Sequence, residues 1–103
     1  MKKEISTSNV SAAPILSQAI EVNGMVFISG QVHADKDWKL IGDTVEEKLD
    51  VIFENIRQVL GAAGLRLDDI VKATIYVTDM TQMPELNQHY PTYFSGILPA
   101  REA

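Results

Sequence analysis

The chain has 103 residues, 46% hydrophobic and 22% charged, with a formal net charge of -5 and no cysteine. That length accommodates one modest hydrophobic core, and the apolar share favours folding over disorder. The negative balance disfavours a broad grip on nucleic acid or an anionic membrane, and the lack of thiols removes disulfides, thiolate nucleophiles and zinc-thiolate sites together.

The opening "MKKEISTSNV" carries two lysines with no apolar run behind them, and no stretch approaches the roughly 18 apolar residues of a membrane span. A soluble, cytoplasmic protein is the expectation. After a first strand, Asn23-Gly24 stands between two apolar runs, and this pair tolerates the positive φ angles of a tight hairpin turn. The second arm, Met25 to Ile28, is apolar on both faces and is therefore expected to be a central strand covered on each side. "HADKDWKLIGD" breaks the periodicity and reads as a loop or an irregular hairpin. Thr44 and Glu47 then form a Thr-x-x-Glu capping box. From Val45, apolar residues Leu49, Ile52, Phe53, Ile56, Val59, Leu60 and Ala63 recur at steps of three and four, which predicts a helix that Gly64 ends.

"IVKATIYVTD" follows, with Val71, Ala73, Ile75 and Val77 alternating against Lys72, Thr74, Tyr76 and Thr78, the period of a strand with one buried face. A second helix is predicted between Thr81 and Ser95, where Met83, Leu86, Tyr90 and Phe94 share a face. Pro84 suits its first turn, and Pro91 should break or kink it. Another strand opens at Leu98. This order predicts an α+β fold with two helices packed on one face of a mixed β-sheet.

Few residues stand out chemically. His33 and His89 are the only histidines, and a metal site would need carboxylates such as Asp35 and Asp37 from a loop where solvated charge is the rule, so no metal is expected. Ser29 in "FISGQ" lacks a nucleophile elbow, and Gly30 suits a close approach by backbone or ligand. No phosphate or dinucleotide fingerprint is present, so no such cofactor is expected. Glu46-Glu47 and Asp68-Asp69 read as a helix start and a turn. Tyr76, Tyr90, Tyr93 and Phe94 read as packing groups without a basic stripe beside them. Arg101 is different: a planar fork of donors at the start of a strand can orient a small acid, against the alternative of a solvated terminal charge.

"SGQ" at 29–31, "AAGL" at 62–65, "VKATIYVTD" at 71–79 and "PAR" at 99–101 stand in an order and spacing that resembles the YjgF/RidA family of reactive-intermediate (imine) deaminases. Members of that family also carry endoribonuclease L-PSP-like and translation-inhibitor labels. The resemblance runs from Ala13 to Arg101. It implies a compact α+β, YjgF/chorismate mutase-like fold, assembled as a homotrimer around a central β-barrel with ligand clefts between subunits. The implied activity is hydrolysis of 2-iminobutanoate and 2-iminopropanoate to 2-oxo acids and ammonia, without metal or organic cofactor.

By the same resemblance, Arg101 matches the arginine that clamps the substrate carboxylate. Backbone at Ser29, Gly30 and Gln31, and the main chain after Arg101 as far as Ala103, would line the same cleft. Leu16 in "PILSQ" stands where the family carries a cleft tyrosine. Family members continue through further strands, one bearing a glutamate thought to position the attacking water, so residues 1–103 are expected to form one domain lacking those last strands. Glu102 would point to the opposite strand face from Arg101 and is no substitute. Two readings follow: an imine deaminase, or a small-acid-binding or regulatory protein without turnover. A third, acting on RNA or translation, has the acidic balance against it.

Overall fold

A computed structural model describes residues 1–103. Its longest element, helix α1 (Val45–Ala62), begins where the sequence places it. The Thr44 hydroxyl accepts the Glu47 N–H at 3.1 Å, and the Glu47 carboxylate accepts the N–H groups of Thr44 and Asp43, each at 3.0 Å. Such a cap contributes about 1 kcal/mol. At the other end the Gly64 N–H reaches Gly61 O at 3.0 Å and the Leu65 N–H reaches Leu60 O at 2.8 Å. This paired closure needs a left-handed residue, and Gly64 supplies it at φ 76°.

The apolar stripe of α1 serves two clusters. Val45, Leu49 and Phe53 pack with Leu86 and Tyr90, while Val59 packs with Ile5, Val10 and Ala19. The strands of the second cluster, β1 (Lys3–Ile5), β2 (Ala19–Val22) and β3 (Met25–Ile28), form an antiparallel sheet in that order. Asn23 (φ 52°) and Gly24 (φ 77°) make the tight turn between β2 and β3.

Strand β3 departs from expectation. It lies at the edge of its sheet, pairing only with β2, and Met25 and Phe27 are 55% and 56% exposed while Val26 and Ile28 pack inward. Apolar side chains on both faces show that a strand tolerates cover, but they do not say that this chain supplies it.

The remaining strands, β4 (Lys72–Thr74) and β5 (Ala100–Glu102), pair in parallel with Ala73 opposite Arg101. The expected α+β class is present, with its antiparallel and parallel pairings in two small sheets. The β4 ladder is shorter than the alternating run, because pairing lasts only where β5 lies alongside; the final bond joins the Ile75 N–H to Glu102 O at 2.8 Å. Beyond it, Ile75 and Val77 still pack on the Phe53 cluster. Helix α2 (Met83–His89) carries Pro84 in its first turn and gives way to a 3-10 turn at Tyr90–Tyr93, where Pro91 stops the α-helix as expected.

The "HADKDWKLIGD" segment is an irregular hairpin closed by an Ala34–Leu40 bridge. Gly42 leads from it into α1 at φ 99°, where a Cβ would lie 3.1 Å from the Glu47 main chain. No helix is long and apolar enough to cross a membrane.

Phe53 joins the two helices. Its ring stacks on Tyr93 (centroids 4.1 Å apart, planes at 11°) and meets Tyr90 and Phe94 edge-on at 5.9 and 5.7 Å. Phe53→Ala should lower the unfolding free energy by about 3–5 kcal/mol in a urea titration. Gly42→Ala should cost about 1–2 kcal/mol, since φ and crowding both oppose a side chain there.

Candidate functional site

Parallel register decides where Arg101 points. Residues opposite each other on neighbouring strands share a face, so Arg101 lies on the side of Ala73, whose alternating successors Ile75 and Val77 pack toward the helices. Glu102, opposite Thr74, takes the other face. The Arg101 guanidinium meets α2 there, donating from Nη2 to Asn87 Oδ1 at 2.6 Å, with Cζ 5.1 Å from the centre of the Tyr90 ring. It is exposed and forms no ion pair; the acids that lie beside a basic side chain are Glu54, at Arg57, and Glu46 and Asp50, at the His89 ring.

The other expected site residues hang from the antiparallel sheet. The Ser29 N–H donates to Gln18 O at 3.0 Å and its hydroxyl to Ser17 O at 2.6 Å, while Gln31 Nε2 donates to Ser29 O at 3.2 Å. A Cβ at Gly30 would meet only open space. Leu16 is 45% exposed, and Ala103 is exposed. No hydrogen bond or ion pair within the chain joins residues 16 or 29–31 to Arg101. Two shallow surface hollows, one beside Arg57, Leu65, Asp68 and Tyr93 and the other beside Asn9, Asp35, Asp50 and Asn55, include none of these residues.

Two buried amides frame the Ser29–Gln31 segment, and sequence reasoning did not single them out. Gln18 accepts the Thr7 N–H at 2.8 Å and donates to Thr7 O, Val10 O and Ser11 O at 3.1, 3.2 and 3.1 Å, fixing the 7–11 loop against β2. Asn55 donates to Ala34 O at 2.9 Å and Val32 O at 3.3 Å, fastening the chain after Gln31 to α1. A lone amide in "SQA" or "ENI" carries no signal of its own; only the fold shows that its partners are main-chain groups far away in sequence.

The two histidines take separate surroundings. His33 Nδ1 lies 2.9 Å from Ile41 O, and Asp35 accepts the Asp37 and Lys39 N–H groups at 2.8 and 3.0 Å, so this loop uses its polar groups to hold its own shape. His89 instead joins Glu46 and Asp50, with ligand-capable atoms within 4.8 Å of one another. Asp50 also accepts the Tyr93 hydroxyl, and this bond, followed by the one to His89, holds its carboxyl below the usual range. Burial first, and Asp50 second, push the Tyr93 phenol up. The Ser95 hydroxyl and N–H lower Asp68 in the same way, so Asp68 ties the end of the second helical segment to the turn before β4.

Two short strand layers packed on a pair of helices place the molecule in the α+β class of the YjgF and L-PSP structures. The crystal structure of yeast Mmf1 is similar to it with a TM-score of 0.93 at 32% identity, over 99% of this chain and 82% of that one. Residues 6–103 match the family Endoribonuclease L-PSP, and the chain belongs to that family, the YjgF/Rid proteins. It is 42% identical over 87 residues to a RutC family protein of Aquifex aeolicus, covering 82% of this chain and 70% of the relative. A mouse relative named 2-iminobutanoate/2-iminopropanoate deaminase is 38% identical over 105 residues, covering 100% of this chain and 78% of the relative.

Asp50, Asp68, Asp35 and Glu47 all have carboxyl pKa values lowered by hydrogen bonds in the folded chain. Their contribution is fully present above the unfolded carboxylate range, about pH 4, and is lost as pH falls through the lower folded values. Urea midpoints should therefore fall with acidification below about pH 4, and Asp68→Asn should flatten that dependence. The Tyr90 hydroxyl is buried without a partner. Tyr90→Phe should leave stability unchanged or raise it by about 1 kcal/mol.

Proposed function

We propose that the chain is an imine deaminase that hydrolyses short 2-imino acids, 2-iminobutanoate and 2-iminopropanoate, to 2-oxo acids and ammonia. The observation that carries this reading is Arg101: an exposed guanidinium without an ion pair, directed by its strand register toward the helices and held there by uncharged groups. Such a fork matches a carboxylate in shape and charge. The name of the mouse relative supports the substrate class.

The chemistry asks little of the protein. An imine carbon is already electrophilic, so water adds across the C=N bond to give a carbinolamine; its hydroxyl proton passes through solvent to the nitrogen, and the C–N bond breaks to release ammonia as the C=O bond forms. Arg101 anchors the acid so that the imine carbon occupies a fixed position, which turns a diffusive encounter into an oriented one. The main chain at Ser29, Gly30 and Gln31 and the peptide leading to Ala103 complete the cleft, with Leu16 as an apolar wall. No metal or organic cofactor takes part in this scheme, and the group that directs the water is unassigned.

The cleft lies between subunits of a homotrimer in this reading. Two features support that: residues 29–31 and Arg101 share no hydrogen bond or ion pair within one chain, and Met25 and Phe27 leave an apolar strand face open. A second reading, carboxylate binding without turnover, is favoured by the absence of any acid in contact with Arg101.

Ammonia and 2-oxo acid release from freshly generated 2-iminobutanoate should be accelerated over a no-protein blank, and Arg101→Ala should lower kcat/KM about a hundredfold. Saturable binding of 2-oxobutanoate without acceleration would establish the second reading instead. Light scattering behind size exclusion should give three times the 11.4 kDa of one chain; a monomer at micromolar concentration would refute the shared cleft.

A further inference from the structure

We propose that Asn87 is a positioning residue that orients the Arg101 guanidinium for a carboxylate without neutralising it, with the Tyr90 ring as the platform beneath. This rests on the reading of Arg101 as the acid anchor. Asn87 and Tyr90 stand three residues apart, on one side of the α2 segment, and both meet Arg101. The 2.6 Å bond from Nη2 to Asn87 Oδ1 uses one of the guanidinium donors and leaves the others for a ligand. The ring attracts the cation through its quadrupole and limits how the fork can tilt.

Both partners are uncharged, and that is the functional point. A carboxylate at either position would hold the arginine equally well, but it would neutralise the charge and occupy the donors that an incoming acid requires. A solvated arginine would keep its charge but lose side-chain freedom on binding. Asn87 and Tyr90 restrict the freedom and leave the charge. The platform is itself rigid: Tyr90 is 4% exposed and packs edge-on against Phe53 and at a tilt against Phe94. Asn87 is exposed, lies in the last turn of a seven-residue helix, and its side chain makes no hydrogen bond other than the one it accepts from Arg101.

The test is the affinity of wild type, Arg101→Ala, Asn87→Ala and Asn87→Asp for 2-oxobutanoate, measured by NMR titration, with melting temperatures for each and with KM and kcat on 2-iminobutanoate. Asn87 is on the surface, so its variants should fold. Asn87→Asp should weaken binding at least about tenfold and Asn87→Ala about threefold, with KM rising and kcat nearly unchanged. That order is the signature. A merely structural asparagine would be replaced better by the near-isosteric Asp than by Ala, whereas an orienting one is replaced worst by a group that cancels the charge. Asn87→Asp within twofold of wild type, or weaker loss than in Asn87→Ala, overturns the positioning role while leaving the anchor intact. Undiminished binding by Arg101→Ala, or no binding by wild type, overturns the anchor and the positioning role with it.

Discussion

The two-ended burial of helix α1 is the constraint on which the rest of the molecule depends. Its first half, through Val45, Leu49 and Phe53, carries α2 and the aromatic turn after it; its second half, through Val59, carries the antiparallel sheet. The two small sheets share no strand pairing, so this helix sets their relative placement. Its ends are therefore closed with unusual completeness, by reciprocal side-chain bonds at Thr44 and Glu47 and by the glycine closure at Gly64. Asn55, on the same helix, adds the fastening that holds the segment after Gln31.

How much of this was legible followed the range of the forces involved. The capping box, the Asn23-Gly24 turn, the Gly64 stop and the break at Pro91 are decided within a few residues, and each appeared where its local chemistry placed it. The position of β3 is decided by what lies beyond its far edge, and neither Met25 nor Phe27 encodes that. Likewise the alternation from Ala73 to Thr78 placed Ala73, Ile75 and Val77 on the inward side, whereas Val71, expected on the same face, lies before β4 and is 76% exposed; the length of the ladder depended on a segment far along the chain. Gly30 illustrates the limit on the chemical side: its residue type allows close approach, and within the chain nothing approaches.

For the site, residue type pointed to Arg101, and register settled its direction. The sequence could not show its company. Asn87 and Tyr90 meet it only because β5 returns beside β4 under α2, and a single asparagine among helix formers is a faint signal that gains meaning after the contact is known. The contrast with Arg57 is instructive. Arg57 forks onto Glu54 on its own helix, with its charge answered locally, whereas Arg101 is restrained by a dipole and a ring and keeps its field directed outward. The adjacent acid in sequence, Glu102, is turned away by the pleat of the strand, and Asp50 is engaged by Tyr93 and His89.

The parallel pairing of β4 with β5 also sets an order of events. A hairpin such as β2–β3 can close on its own, because its arms are adjacent; β5 cannot meet β4 until the whole α2 segment between them has been drawn in and packed on Phe53. Closing that long loop costs chain entropy before any contact returns it, so this ladder belongs to the late stage of folding. Arg101 thus meets Asn87 and Tyr90 only where β5 lies beside β4. The Arg101 contacts with Asn87 and Tyr90 therefore depend on the ladder whose closure spans the whole α2 segment.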